Sequence, residues 1–332
     1  MGQHVTGSVW QRTFREKSHS NALQEGWEKV SGEKIMNDSK ATAELTKWSV
    51  PTFLNTQHGP IEYIECGEGA AVLALHGAMG GYDQGRILAR TTGEPGYRYV
   101  SISRPGYLGT PLTAGRTPEE QADLYAEILD RLDIRQTAIM AISGGGPSAI
   151  HFALRHRSRC WGLVLISTCA GKVDTPIPIS FKLMKLLVRC PVSVAMIKKR
   201  TNKDLERALR RSIPDPAIRA RTVQDPQVRP LIEEVIMGVF YRITLRLPGT
   251  DNDIRITQTT TYPLERIEVP VLVVHGTEDR LVPFTQHGKS LAERIPRAQL
   301  LAVEGGEHMA IFTHRDEIRA RVTRFLHDLA PA

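Results

Sequence analysis

The chain has 332 residues, 41% of them hydrophobic and 24% charged, with a formal net charge of +7. This is the composition of a globular protein long enough to bury one large core, or a core and a smaller appended domain. No run approaches the roughly 18 consecutive apolar residues of a membrane span, and no cationic start followed by an apolar block marks a secretory signal, so a cytoplasmic protein without stable membrane insertion is expected.

Residues 1 to 45 are polar and lack a sustained period, which reads as a flexible extension with at most a short helix near Trp27. Met1-Gly2 with Thr6 fits a myristoylation pattern only as loosely as chance allows. From Trp48 the texture changes. Val50–Asn55 and Ile61–Glu65 read as strands about a Gln57-His-Gly-Pro60 turn, and Ala70–Leu75 is a continuous apolar run suited to a strand covered on both faces. Arg98–Ser103 follows as a strand. Thr117 with Glu120 forms a capping box that opens a helix over 118–132. Thr137–Ile142 is a strand, Pro147–Arg157 a helix and Trp161–Ser167 a strand.

The alternation then breaks from about Ala170 to Thr261, too long a stretch for a plain loop. Helical patterns run over Ile179–Cys190, Val192–Lys199, Lys203–Ser212 and Val228–Leu245, punctuated by prolines from Pro176 to Pro230. The pattern resumes with a strand at Val269–Val274, a helix at Thr285–Ile295, a strand at Ala298–Val303 and a helix at Arg315–Leu329. Strands alternating with helices imply a mostly parallel sheet covered on both faces. The domain reading is therefore an extension (1–45), an α/β core (46–169 and 262–332) and a helical cap (170–261).

The net charge is local. Thr175 to Arg221 holds twelve Lys/Arg against three Asp/Glu, a net +9, and the rest sums to about −2. Aromatic residues are scarce there, which argues against nucleic acid as a partner. Cys66, Cys160, Cys169 and Cys190 have no metal-type spacing. Cys160 and Cys169 end one predicted strand, roughly 30 Å apart at about 3.3 Å per residue, so they cannot bridge. Four free thiols suit a reducing compartment.

The most informative stretch is Thr137-Ala-Ile-Met-Ala-Ile-Ser-Gly-Gly-Gly-Pro147. A serine at a strand-to-helix corner occupies a cramped backbone and needs small neighbours, supplied here by Ala141 two before and Gly145 two after Ser143. This is a nucleophile elbow with alanine in the first glycine position. A glycine-rich turn could instead cradle a phosphate. However, no Gly-Lys-Ser/Thr ends it, and no spaced glycine triplet with an acidic partner follows the first strand. Ser143 needs a base and an orienting acid, which in parallel α/β sheets gather past the carboxyl ends of strands. There lie Asp279, in His275-Gly-Thr-Glu-Asp-Arg280, and His308, in Glu304-Gly-Gly-Glu-His-Met309. Glu278 and Asp174 are lesser candidates for the acid. His314 is read as solvent-facing, Ser148 as a packing residue, and His76 and His275 as turn-stabilising.

His76-Gly-Ala-Met-Gly-Gly81, Ser103-Arg-Pro-Gly-Tyr107, the Ser143 elbow and the Asp279/His308 pair occur in an order that resembles a serine-nucleophile member of the α/β-hydrolase superfamily with a helical cap between the sixth and seventh strands. The resemblance runs from about Trp48 to the C-terminus. It departs at Ala141, where glycine is usual, and at Glu307, an extra residue before His308. It implies an α/β-hydrolase fold and catalysis by Ser143, His308 and Asp279. It also implies an oxyanion hole from the backbone N–H groups of Ala78 and Gly144, substrate contacts at Met79 and Tyr107, and neither metal nor cofactor. Members that process halides or epoxides carry aspartate as nucleophile, and Ser143 argues against both. The expected substrate is a small acyl compound, a carboxylic ester first, with an amide or carbon–carbon bond as alternatives. A capped ligand receptor on the same fold is the reading from another class, and homo-oligomerisation stays open. On 179–190, Phe181, Met184, Leu187 and Val188 are expected inward. Lys182, Lys185 and Arg189 are expected to be solvated, or to attract an anionic substrate or a lipid surface.

Overall fold

In the computed structural model, which describes residues 45, 47–173 and 179–331, eight strands form one sheet in the order β1-β2-β4-β3-β5-β6-β7-β8. The strands are β1 (Thr52–Thr56), β2 (Gly59–Cys66), β3 (Ala70–Leu75), β4 (Tyr97–Ile102), β5 (Thr137–Ile142), β6 (Cys160–Ile166), β7 (Val271–Gly276) and β8 (Ala298–Val303). β1 and β2 pair antiparallel, β2 pairs antiparallel with β4, and every later pair is parallel. Residues 1–44 of the N-terminal extension and Asp174 lie outside the described residues.

Successive residues of the central strands enter opposite cores. Leu73, Ile139, Leu163 and Val273 join one cluster, while Val72, Met140, Val164 and Leu272 join the other. This is the two-residue period of a strand with both faces dry. Helices α1 (Tyr82–Thr92), α2 (Pro118–Arg131) and α3 (Gly146–Arg155) alternate with the first strands. Thr117 and Glu120 form the expected capping box of α2. α1 was not apparent in the sequence, because Gly81 stands at its N-cap and contributes no side-chain bond.

Between β6 and β7 the described chain is helical. Its elements are α4 (Ile179–Leu187), α5 (Pro191–Lys203), α6 (Leu205–Ser212), α7 (Pro216–Gln224), α8 (Arg229–Gly238) and α9 (Leu247–Thr259). The continuous helix expected over 228–245 stops at Gly238, and the chain turns through Arg242 at a φ of 51°. The helix α9 that follows carries residues that matter below and was not anticipated. After β7 come α10 (Gly288–Arg294), then β8, α11 (Ala310–Thr313) and α12 (Arg315–Leu329). α10 begins three residues later than expected. All four cysteines carry thiols outside any disulfide, Cys190 exposed and the other three buried.

Candidate active site

Ser143 follows β5 directly and has a φ of 51°, in the left-handed region that costs a side-chain-bearing residue free energy. Its surroundings enforce the turn. A Cβ on Gly145 would lie 2.8 Å from the His76 carbonyl oxygen, and one on Gly144 would lie 2.7 Å from Asp253 Oδ2. Only glycine fits at either place. Ala141 is fully buried, so smallness is what its position demands. The Thr168 hydroxyl, just past β6, donates to the Ser143 carbonyl at 2.7 Å and fixes the corner. Ser148 is buried, donates to the Gly145 carbonyl and accepts from Tyr125, as a packing residue would.

The loops after β7 and β8 bring the other two groups to Ser143. The Glu278 N–H donates to the Gly306 carbonyl and the Gly305 N–H to Thr277 Oγ1, each at 2.9 Å, so the two loops are stitched together. Asp279 Oδ1 accepts the N–H groups of Leu281 and Val282 at 2.9 Å, which aims Oδ2 at His308. His308 Nδ1 donates to that oxygen at 2.8 Å. Nε2 is thereby left to accept the Ser143 hydroxyl at 3.1 Å. Glu278 is exposed while Asp279 is buried. Burial alone would raise the Asp279 pKa, but the His308 hydrogen bond and charge, with the Val282 N–H, hold it below the usual carboxylate value. The extra Glu307 is absorbed where its carbonyl accepts the Ala310 N–H at the start of α11. Such a chain can pass the hydroxyl proton to the imidazole and hold the resulting cation against a carboxylate.

Ser143 opens onto a cavity of about 330 Å³. Core residues Ala78, Met79, Gly144 and Leu281 line it together with Phe181 of α4 and Thr250, Asp253, Ile254, Thr257 and Gln258 of α9. Ala78 and Gly144 line the cavity together with Ser143, and Gly144 lies at the start of a helix, where N–H groups lack an intrahelical acceptor. The Met79 N–H is already taken by Thr250 Oγ1 at 3.0 Å. Cys169 also lines the cavity, but burial pushes its thiol up to about 11, so it is held as the thiol and not the nucleophilic thiolate.

Tyr107 is not in the cavity wall. Its ring is fully buried, and its hydroxyl donates to Asp253 Oδ2 at 2.6 Å, so the substrate contact read for it is corrected to a support beneath that wall. Arg104, also fully buried, donates both terminal nitrogens to the Asp253 carboxylate. Two buried donors from the loop after β4 thus hold a helix of the cap. Sequence reasoning missed Asp253 and Thr250. The only available signal was the buried-type Arg104 in need of an acid, and its partner is 149 positions away. Phe181 does face inward, but Lys182 and Arg189 are not in the wall, and Lys185 is paired with Asp251 at 2.6 Å.

His76 and His275 are fully buried. His76 Nδ1 donates to the Gly77 carbonyl at 2.7 Å and Nε2 accepts the Arg104 N–H at 3.0 Å, which defines a neutral ring. Burial, with the Arg104 charge, pushes its pKa well below the ordinary histidine value. Burial likewise lowers that of His275. His314 is half-buried rather than solvent-facing, and burial lowers it too. In each case the unfolded chain takes up the proton first. The stability these groups contribute is fully present above about 6.5 and is lost as pH falls through their lower folded values. The midpoint of thermal unfolding should therefore fall between pH 7 and pH 5, and less steeply in His275→Gln. A midpoint independent of pH across that window would contradict the neutral assignment.

A family model described as alpha/beta hydrolase fold matches residues 70–315. The chain belongs to the α/β-hydrolase family. Among relatives, this hydrolase is 29% identical to an uncharacterized hydrolase of Bacillus subtilis over 261 residues, covering 76% of this chain and 89% of the relative. It is 28% identical over 296 residues to a 2-hydroxy-6-oxononadienedioate/2-hydroxy-6-oxononatrienedioate hydrolase of Cupriavidus pinatubonensis, covering 85% and 97%. Among solved structures, an alpha/beta hydrolase fold protein from Nakamurella multipartita superimposes with a TM-score of 0.73 at 28% identity, covering 83% of this hydrolase and 99% of that chain.

Proposed function

We propose that this α/β-hydrolase cleaves neutral, apolar carboxylic esters through an acyl-enzyme on Ser143. In that reaction Ser143 Oγ attacks the ester carbonyl as His308 Nε2 takes the hydroxyl proton, and Asp279 steadies the imidazolium. The carbonyl oxygen becomes an oxyanion that accepts the N–H groups of Ala78 and Gly144, each such donor lowering the barrier by about 3 kcal/mol. As the tetrahedral intermediate collapses, the C–O bond breaks and His308 returns its proton to the departing alkoxide, releasing an alcohol. Water, deprotonated by the same nitrogen, then attacks the acyl carbon and frees the acid and Ser143. Each step uses side chains and backbone groups of this chain. The observation that carries the reading is the unbroken Ser143–His308–Asp279 hydrogen-bond chain at the floor of the cavity.

The wall favours the neutral ester. Among the described residues that line the cavity there is no Lys or Arg, and its single carboxylate, Asp253, is already held by Arg104 and Tyr107. An anionic acyl chain would surrender its hydration there without a cation in return. The Cupriavidus relative's name describes a dicarboxylate cleaved by a hydrolase, which motivates carbon–carbon bond cleavage as a second reading. A ligand receptor on this fold would bind such compounds without turning them over. A p-nitrophenyl ester with a medium apolar acyl chain should be hydrolysed with a kcat/KM at least roughly tenfold above that of an ester of equal length ending in a carboxylate. Preference for the acidic ester would favour the second reading, and binding without turnover would favour the receptor.

A further inference from the structure

Phe181 and Val188 turn one face of α4 inward, and the opposite face is bare. Leu183, Leu186 and Leu187 there are 54%, 60% and 38% exposed. Past the turn at Cys190, α5 begins at Pro191, and its Val192 and Met196 are 65% and 61% exposed. No residue of α5 is fully buried. Single exposed apolar side chains are ordinary on a protein surface, but five on two consecutive helices are not.

Cations flank them. Lys182 and Arg189 border the leucine face of α4, and Lys199 and Lys203 share the helical face of Val192 and Met196, with Lys198 and Arg200 beside them. All six are exposed, and among the described residues none of them makes an ion pair. The next acids along the chain, Asp204 and Glu206, face Arg210 and Arg219 instead. An apolar strip edged by unpaired cations complements a surface that is apolar inside and anionic outside.

We propose that the outer face of α4 and α5 docks on an anionic phospholipid bilayer, inserting Leu183, Leu186, Leu187, Val192 and Met196 among the acyl chains while the lysines and arginines meet the headgroups. Attachment is peripheral, since no helix among the described residues is long and apolar enough to cross a membrane. Phe181, on the inner side of the same helix, lines the cavity, so docking sets the cavity wall against the lipid surface. The proposal goes beyond the hydrolase reading and does not depend on chemistry at Ser143.

The test is co-flotation of full-length Ser143→Ala protein with vesicles of phosphatidylcholine alone and of equal parts phosphatidylcholine and phosphatidylglycerol. Binding is thereby read without turnover. Affinity should be roughly tenfold or more higher for the anionic vesicles, and most of it should be lost at about 1 M salt, where the Debye length is about 3 Å. Leu186→Gln/Met196→Gln, at exposed positions whose change leaves no cavity, should weaken binding to the anionic vesicles roughly tenfold at unchanged thermal stability. Three results would overturn the proposal. One is no flotation with anionic vesicles at low salt, and another is equal binding to both vesicle types. The third is a dimer in light scattering that the double substitution splits, which would assign the face to a second copy of the chain.

Discussion

Ser143→Ala is expected to lower kcat for the preferred ester by on the order of 10⁴- to 10⁶-fold, with the thermal midpoint nearly unchanged. The side chain lies at the open end of β5 and borders the cavity, so removing its hydroxyl leaves no new void in the core. His308→Ala should cost a comparable amount and Asp279→Asn on the order of 10⁴-fold, because an asparagine can orient the wrong imidazole tautomer. The losses should not add. Once Ser143 is gone, the imidazole has no hydroxyl to deprotonate, so the Ser143→Ala/His308→Ala protein should be no slower than either single variant. The comparison needs rates on one ester at saturating enzyme. Multiplicative losses would mean that the two residues act in separate steps.

Asp253→Ala should cost about 3 to 5 kcal/mol of folding stability, because it leaves the buried Arg104 guanidinium without its carboxylate partner. Arg104→Ala should cost a similar amount, and the double variant distinctly less than the sum, since neither charge is then left alone. Activity should fall in the single variants as well. α9 carries Thr250, whose hydroxyl fixes the Met79 N–H, and is preceded by Arg246, whose guanidinium binds the Met79 carbonyl and Asp83. Loosening α9 therefore loosens the loop that carries Ala78. Denaturant unfolding of the three variants checks this, and a double variant that loses the full sum would show that the pair is not coupled.

The parts of the molecule that could be read from sequence are those written in local chemistry. The apolar runs of β3, β5, β6 and β7 need no partner to be recognised as strands buried on both faces. Ser143, Asp279 and His308 each follow a strand that is legible alone, so their gathering at one end of a parallel sheet followed from chain order. Thr117 announces α2 by its own side chain. The unread parts are relational. Arg104 and Asp253 explain each other only once α9 lies across the loop after β4, and no spacing rule spans that separation. Tyr107 was placed in the correct loop but on the wrong side of the wall, because its orientation is set by the Asp253 acceptor. Half of α4 was read correctly, since Phe181 and Val188 do face inward. The exposure of Leu183 and Leu186 depends on what does not pack against them, which periodicity does not express. α1 was missed for the simplest reason: Gly80 and Gly81 read as a loop, and no capping side chain marks the start that follows.

The central claim is that Ser143 is the nucleophile, and the most direct measurement is covalent trapping. The wild-type protein, treated with an alkyl fluorophosphonate, should gain one adduct by intact mass, and peptide mapping should place it on Ser143. Labelling should be absent in Ser143→Ala and much slower in His308→Ala, since the imidazole must accept the hydroxyl proton for the phosphorus to be attacked. An adduct on any other residue in the wild-type protein, or a wild-type protein that hydrolyses its ester while resisting the probe, would contradict the account.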